Sequence, residues 1–250
     1  MFNTTHILYM VISAVISAGT IIALRLFKNK RANKAAIWFL AIITVIIHFS
    51  GLWYEFFTVG EAQASTEYIL PVYPCHICMW LLVISATVLE REDPVSKTVK
   101  GFSFWGGLVC GSVGLIFNEN FGSNPTLADY HVLKGLLSHS TMILGCILLF
   151  SAGFVKIRVK RSVFDVAAGL TLFILDGWLV NSLFKKYGLG ECNAMYMQKA
   201  PFEALPFINV YTIGVAALLV TFIASAIYEQ IQLPPDKRWY APLLKGNKCK

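Results

Sequence analysis

Long apolar runs alternate with short polar connections along this chain. A helix needs about 20 apolar residues to cross the hydrocarbon core of a bilayer, and seven runs reach that length. They cover residues 6–26, 36–57, 70–90, 102–121, 131–153, 163–185 and 207–229. The pattern predicts an all-α, polytopic membrane helix bundle of seven transmembrane helices. We expect one membrane domain over residues 1–230 and a basic cytoplasmic tail over residues 231–250.

The basic residues fall on alternate connections and in the tail. This holds for 17 of the 21 Lys and Arg residues. They are Arg25, Lys28, Lys30, Arg31 and Lys34; Arg91, Lys97 and Lys100; Lys156, Arg158, Lys160 and Arg161; and Lys237, Arg238, Lys245, Lys248 and Lys250. Cytoplasmic loops carry the Lys and Arg excess. The charge pattern therefore predicts an N-terminus outside the cell, a C-terminus in the cytoplasm and an odd number of spans.

The composition agrees with this topology. Hydrophobic residues make up 56% of the chain and charged residues 14%, which is typical of a protein that uses lipid as its solvent. The net charge of +7 lies in short blocks between apolar runs, so it reports topology and gives no reason to expect nucleic acid as a partner. We predict a multi-pass protein of the cell membrane.

Three ionisable side chains lie within predicted spans at a similar depth. His48 on span two and His139 on span five both lie about nine residues from the outer end of their span, or roughly 13 Å below the boundary. Asp176 on span six lies near the same level. Ionisable groups inside a membrane usually point into the bundle and are functional or paired. We therefore expect a site in the outer half of the bilayer.

The start of span three carries a cysteine in a reactive setting. Pro74 suits the first position of a helix, because its missing N–H would have no partner there. Cys75 then falls in the first turn, where unpaired N–H groups and the positive end of the helix dipole favour a thiolate. A histidine from another span could complete the activation of this nucleophile.

At these residues the chain resembles a known family. The segment Pro74-Cys75-His76, the histidine on span five and the outer loop 193–201 resemble the bacterial YwaF-type membrane proteins. More distantly, the Pro-Cys-His segment and the seven-span layout are similar to those of an animal membrane acyltransferase that acts on polyunsaturated ether phospholipids. In the outer loop, Asn193 and Tyr196 are separated by two residues, whereas the family pattern has Asn and Tyr adjacent.

The resemblance implies a cysteine acyl-enzyme. Cys75 would attack a lipid ester and pass the acyl group to a lysophospholipid or to water, with His139 as general base and acid. Asp176 or His48 would orient His139, and first-turn N–H groups of span three would stabilise the oxyanion.

The same resemblance gives the partner and the substrate-binding residues. The partner is a membrane phospholipid or lysophospholipid, and neither a cofactor nor a metal is expected. The residues expected to bind the lipid are His76, Asn181, Asn193 and Tyr196.

Three other hypotheses stay open. Cys75 and Cys78 form a Cys-x-x-Cys pair, which would suit a quinone-linked thiol-disulfide oxidoreductase, although only Cys192 is available outside as a shuttle. His48, His139 and Asp176 could hold the metal of a membrane hydrolase. A non-enzymatic transporter or receptor is the fourth possibility, because a fold does not fix a function.

Overall fold

The structure is a computed structural model, and it describes residues 3–59, 70–117, 126–200 and 209–242. Within these ranges the regular secondary structure is entirely helical, which confirms the predicted all-α class. The predicted outer end of span four at residue 121 and the start of span seven at residue 207 lie outside the described residues, as does the tail from residue 243 onward.

Seven α-helices and two short 3-10 helices make up the described structure. The α-helices are α1 (Thr4–Phe27), α2 (Lys30–Val59), α3 (Pro74–Thr87), α4 (Pro94–Ile116), α5 (Tyr130–Ser151), α6 (Val159–Tyr187) and α7 (Val210–Gln232). The 3-10 helices are Ala194–Tyr196, between α6 and α7, and Pro235–Lys237, after α7.

Polar side chains cap the starts of five of these helices, among them α2, where Asn29 accepts from the N–H groups of Arg31 and Ala32. The Asn3 side chain accepts from the His6 N–H, Asp93 from Ser96 N–H, and Asp129 from Val132 N–H. Asn209 accepts from two N–H groups of α7 in a capping box. Each cap satisfies a backbone donor that has no partner inside its helix. The polar connections thus fix where the apolar runs begin.

Six of the seven helices are long and apolar enough to cross a membrane. The third is shorter than predicted: α3 starts at Pro74 instead of residue 70 and ends at Thr87 instead of residue 90. Its end is held by Lys100, which is 1% exposed and whose Nζ donates to the carbonyls of Leu89 and Arg91 at 2.9 and 2.7 Å. This ammonium replaces water as the partner of carbonyls just beyond α3.

Helices α4 and α5 form the centre of the bundle, and glycines bring them together. A Cβ added at Gly107 would meet the Cys146 sulfur, and one at Gly111 would meet Ile143. One at Gly114 would meet the ring of His139. Small residues at the contact between membrane helices let the two backbones approach closely. Helices α2 and α3 pack on the outside of this pair, and α6 packs on α4.

Helix α1 lies at the edge of the bundle against α5. His6 is its buried residue, and His6 Nε2 lies 2.9 Å from the Leu115 carbonyl of α4. Tyr9 and Ser13 both bond to the hydroxyl of Ser140 on α5, at 3.2 and 3.0 Å. Three polar contacts thus attach a helix whose other faces are largely exposed.

The first part of the basic tail folds back onto the bundle. Glu229 on α7 is 3% exposed and accepts from the N–H of Val159, at the start of α6, and from the N–H of Trp239 in the tail. Residues 231–242 are therefore attached to the ends of α6 and α7.

Candidate active site

Cys75 occupies the first turn of α3, as the sequence predicts. Tyr73 is the N-cap and Pro74 the first helical residue. The half-buried Cys75 thiol is within hydrogen-bonding reach of the backbone N–H groups of Cys75 and His76. The same N–H groups could stabilise negative charge on an atom bonded to this sulfur.

The His139 ring is oriented by its own helix. His139 Nδ1 lies 2.7 Å from the Gly135 carbonyl, and because a carbonyl can only accept, Nδ1 carries the proton. Nε2 is then left with a lone pair, which is the form of imidazole that acts as a general base. The partner on Nδ1 is therefore a backbone carbonyl, where the sequence analysis expected Asp176 or His48.

Cys75 and His139 lie against neighbouring turns of α4. The Cys75 thiol interacts electrostatically with Cys110 of α4, and His139 Nε2 lies against Gly114. Cys110 and Gly114 are four residues apart, which is about 6 Å along a helix. The first turn of α3 and the middle of α5 thus meet on one stretch of α4, so the predicted pairing of these two helices is compatible with the fold.

A second imidazole pair lies beside Cys75. The rings of His76 and His48 are 4.4 Å apart, and Tyr73 lies 5.2 Å from His76. The Leu70 carbonyl is a hydrogen-bond partner of the His76 ring. His76 Nδ1 is buried and has no hydrogen-bond partner within the described part of the chain. His76 is therefore a second group that could accept a proton close to the thiol.

Lys134 is a site residue that the sequence analysis missed. It lies in the second turn of α5 and interacts electrostatically with Cys75, His76 and His139. Glu55 of α2 is its acidic neighbour. The available signal was that Lys134 is one of four basic residues outside the alternating pattern of basic connections. A half-buried ammonium beside a nucleophile is suited to stabilise an oxyanion.

Asp176 lies away from this group. Helix α6, which carries it, packs on α4, α7 and the first 3-10 helix, whereas α5 packs on α1, α2, α3 and α4. Helix α4 therefore separates the helix of Asp176 from that of His139. Asp176 Oδ2 is buried without a hydrogen-bond partner among the described residues. Similar depth in the membrane did not bring the two side chains to the same side of α4.

The loop after α6 covers the start of α3. Met195 N–H donates to the Val72 carbonyl at 2.8 Å, and the rings of Tyr73 and Tyr196 are 5.8 Å apart. Asn181 fastens this loop to α6, because its amide accepts from the Ala194 N–H at 2.9 Å and donates to the Ala194 carbonyl at 3.3 Å.

Asn193 holds the same loop from within. Its side chain accepts from the N–H groups of Gln198 and Lys199, at 2.9 and 3.1 Å, and donates to the Lys199 carbonyl. Asn181 and Asn193 were expected to bind substrate, and the structure engages both amides in the loop that packs on the residues just before Cys75. The ring of Tyr196 lies near that of Tyr73, just before the start of α3.

Four cysteines line the contact between α3, α4 and α5. Cys110 interacts with Cys75, Cys78 and Cys146, and its contact with the buried Cys78 is of hydrogen-bond type. Cys192, the proposed external shuttle, is instead buried in a cluster with Val72 and the end of α6. The redox partner nearest to Cys78 is thus Cys110.

The metal hypothesis lacks a ligand set in the described ranges. No group of three His, Cys, Asp or Glu side chains there is arranged to hold a metal ion. Two of the three predicted ligands, His48 and His139, lie on α2 and α5, which pack together, but Asp176 is on the far side of α4.

Comparison with known proteins finds a family model that matches most of the chain. A model of the TMEM164 family matches residues 1–227 of the 250. No curated protein matches the chain, and no solved structure does. The match includes every helix that contributes to the site, from α2 to α6. The assignment to the bacterial YwaF type stays a prediction.

Proposed function

The chain belongs to the TMEM164 family, an acyltransferase-like family of membrane proteins, and we propose that it transfers an acyl group from a membrane phospholipid through a thioester on Cys75. The observation that supports this most directly is that Cys75 is a neighbour of Cys110 and His139 lies against Gly114, one turn apart on α4, with Lys134 close enough to interact electrostatically with both. A nucleophile, a base with a defined lone pair and a cation are the groups that acyl transfer needs.

The first half of the reaction forms the thioester. His139 Nε2 takes the proton of the Cys75 thiol as the sulfur attacks the ester carbonyl carbon, and the carbonyl oxygen becomes an oxyanion. The oxyanion lies near the Lys134 ammonium and the first-turn N–H groups of α3. Collapse breaks the ester C–O bond, and the imidazolium returns its proton to the leaving lysophospholipid oxygen.

The second half releases the acyl group. His139, neutral again, takes the proton of an acceptor hydroxyl as that oxygen attacks the thioester carbonyl. The C–S bond then breaks, the acyl product leaves, and the proton passes from the imidazolium to the Cys75 sulfur. A lysophospholipid as acceptor gives transfer, and water gives hydrolysis. The loop held by Asn181 and Asn193 covers the thiol, which limits the access of water.

The proposed setting is the outer half of a cell membrane. The alternating basic connections support seven spans with the N-terminus outside. The short helix α3 would be a span in addition to the six long helices, which brings the total to seven, and it would enter the membrane at Pro74. In this orientation Cys75 faces the outer leaflet, and its substrate is a phospholipid of that leaflet.

Trapping of the acyl-enzyme tests the proposal. The full chain is purified, incubated in phospholipid vesicles that carry a labelled acyl chain, and analysed for label that neutral hydroxylamine removes. We expect the label on Cys75, its loss in Cys75→Ser, and its reduction by at least about 100-fold in His139→Gln. Cys78→Ser and Cys110→Ser are matched controls that should keep the label. Label that persists in Cys75→Ser would refute the choice of nucleophile.

A thiol-disulfide oxidoreductase is the second candidate. The contact between Cys78 and Cys110 favours it, because two adjacent thiols on different helices could form a disulfide. Such an enzyme would pass two electrons from these thiols to a quinone of the membrane. It requires that Cys78→Ser and Cys110→Ser abolish quinone reduction by an added dithiol, and that both variants lose activity as completely as Cys75→Ser.

A further inference from the structure

A basic cleft lies at the opposite end of the bundle from Cys75. It has a volume of about 390 Å³ and is formed where α6 begins and α7 ends. Val159 at this end of α6 is 22 residues from Asn181, which holds the loop over Cys75, so the two ends are about 33 Å apart. The lining includes four cationic side chains, one carboxylate and an indole: Arg158, Lys160, Lys237, Arg238, Glu229 and Trp239.

Two of these charged groups are engaged in building the cleft. Both oxygens of Glu229 accept backbone N–H groups, at 2.8 and 2.7 Å. Arg238 donates to the carbonyls of Leu233 and Gln230 and to the Tyr240 hydroxyl, at 2.9 to 3.0 Å. These bonds join the tail to α6 and α7 and give the cleft a fixed wall.

The remaining three cations are exposed and available to a ligand. Arg158, Lys160 and Lys237 are on the surface, and within residues 126–200 and 209–242 none of them forms an ion pair. Arg158 donates one long hydrogen bond, 3.5 Å, to the Lys237 carbonyl, and this contact brings the start of α6 and the tail together. Three positive charges around a concave surface attract an anion, and a guanidinium suits the oxygens of a phosphate in particular.

The indole of Trp239 gives the depth of the cleft. Its ring packs edge-on against Phe222 of α7, with centroids 5.5 Å apart. Phe222 is 38% exposed on an apolar helix that is long enough to span a membrane, so it faces lipid. Tryptophan is enriched at the membrane interface, where its ring lies among the headgroups. Phe222 is near the middle of α7, but the Trp239 backbone is bonded to Glu229, three residues before the end of α7. The cleft therefore lies where α7 leaves the membrane, at the level of the lipid phosphates.

We propose that this cleft is a binding site for the phosphate of an anionic phospholipid headgroup. The basic charge selects an anion, the guanidinium of Arg158 selects a phosphate, and the position of Trp239 selects a lipid over a phosphate in solution. The site is independent of the Cys75 chemistry and belongs to the other membrane face.

Lipid binding to the purified full chain tests this site. Native mass spectrometry in detergent compares retention of phosphatidylglycerol and phosphatidylcholine, and inorganic phosphate is the competing probe. The variant Arg158→Gln/Lys160→Gln/Lys237→Gln removes the three exposed cations. The control Arg25→Gln/Lys28→Gln/Arg31→Gln removes the same charge from the junction of α1 and α2, outside the cleft.

We expect the wild-type chain to retain phosphatidylglycerol over phosphatidylcholine, and the cleft variant to lose at least about tenfold of that preference, since each cation near an anionic lipid contributes roughly fivefold in affinity. The control should stay within about twofold of the wild type. Equal loss in both variants would show a general charge effect and overturn the proposal. Displacement of the lipid by millimolar inorganic phosphate would also overturn it, in favour of a soluble phosphate ligand. The single variant Arg158→Lys, which keeps the charge, confirms proper folding if it keeps partial binding.

Discussion

At the scale of residues, the site depends on a missing side chain as much as on the groups that react. Gly114 provides the space into which His139 Nε2 points, and the Gly135 carbonyl fixes the tautomer of that ring. Neither glycine has chemistry of its own. The position of the base is thus set by packing between α4 and α5, with a backbone carbonyl in place of the carboxylate seen in many catalytic histidines.

We predict that Gly114→Ala reduces formation of the acyl-enzyme by about 100-fold, because the added methyl group displaces the His139 ring by about 1 Å or more. The measurement is the amount of hydroxylamine-sensitive label per mole of protein. Gly214→Ala on α7 is the matched control, since its added Cβ would make only ordinary contacts of 3.5 Å with Leu170. Unchanged labelling in Gly114→Ala would mean that His139 does not act as the base.

The sequence predicts single residues better than it predicts their neighbours. Pro74 before Cys75 predicts a helix start, and the structure confirms it, because the cause is local to the backbone. The partner of His139 could not be predicted, because it depends on which helices touch. Asp176 is on α6, whose main packing partners do not include α5, and Lys134 was not predicted because only its tertiary contacts distinguish it from a lysine at a helix end.

At the scale of elements, the loop between α6 and α7 acts as a cover over the start of α3. It is attached at one side by the bonds between Asn181 and Ala194, and at the other by the bond from Met195 to Val72. Gly177 on α6 leaves room for the Met195 and Met197 side chains beneath it. The cover is therefore built from backbone hydrogen bonds and apolar contacts, and its detachment should expose Cys75.

We predict that Asn181→Leu increases the rate at which a water-soluble maleimide modifies Cys75 by about tenfold. Leucine has a similar size but cannot bond to the Ala194 backbone, so the loop loses two hydrogen bonds, each of which contributes about 1 kcal/mol. Peptide mass spectrometry assigns the modified cysteine. Ser182→Ala is the control, because the Ser182 hydroxyl bonds only to its own helix. The same rate in both variants would argue against a covering role.

Two ion pairs hold the connection between α3 and α4 to the start of α2. Glu90 accepts from Lys30 and Lys34, each at 2.8 Å, and these bonds lower the pKa of the exposed Glu90 carboxyl to about 2. Its ordinary pKa is 4.5. Because the folded-state pKa is depressed, the stabilisation is complete above about pH 4.5 and is lost as the pH falls towards 2.

We predict that Glu90→Gln removes part of the loss in thermal stability between pH 4.5 and 2, and has little effect at pH 7 in high salt, where exposed pairs are screened. The measurement is the unfolding midpoint in detergent as a function of pH. Glu191→Gln, which removes a distant exposed carboxylate paired with Lys199, is the control. Identical pH profiles for the wild type and Glu90→Gln would contradict the pairing.

At the scale of the whole molecule, the two membrane faces are built differently. One face carries Cys75 beneath a loop, and the other carries a folded tail joined to α6 and α7 by Glu229. The alternation of basic connections predicts which ends share a face, because cytoplasmic connections carry the Lys and Arg excess. It does not predict that residues 231–242 fold back, since this depends on a single buried carboxylate near the end of an apolar run.

We predict that Glu229→Gln loosens this tail and lowers the stability of the protein. An amide offers only one accepting oxygen to the two N–H groups of Val159 and Trp239, and a buried N–H without a partner costs about 1–3 kcal/mol. Faster tryptic cleavage after Lys237 and Arg238, together with a lower unfolding midpoint, would be observed. Glu92→Gln, at an exposed position, should leave both unchanged.

Helix α3 also affects the lipid around it. With 14 residues it is about 21 Å long, whereas a bilayer core is about 30 Å thick, and its neighbours α2 and α4 have 30 and 23 residues. The shortfall of about 9 Å is met by the segments that flank α3, and the buried Lys100 satisfies two carbonyls of the one that follows it. A bilayer whose core is closer to the length of α3 would need less of this irregular backbone inside it. We therefore expect the protein to partition into thin bilayers and to be excluded from thick, sterol-rich ones.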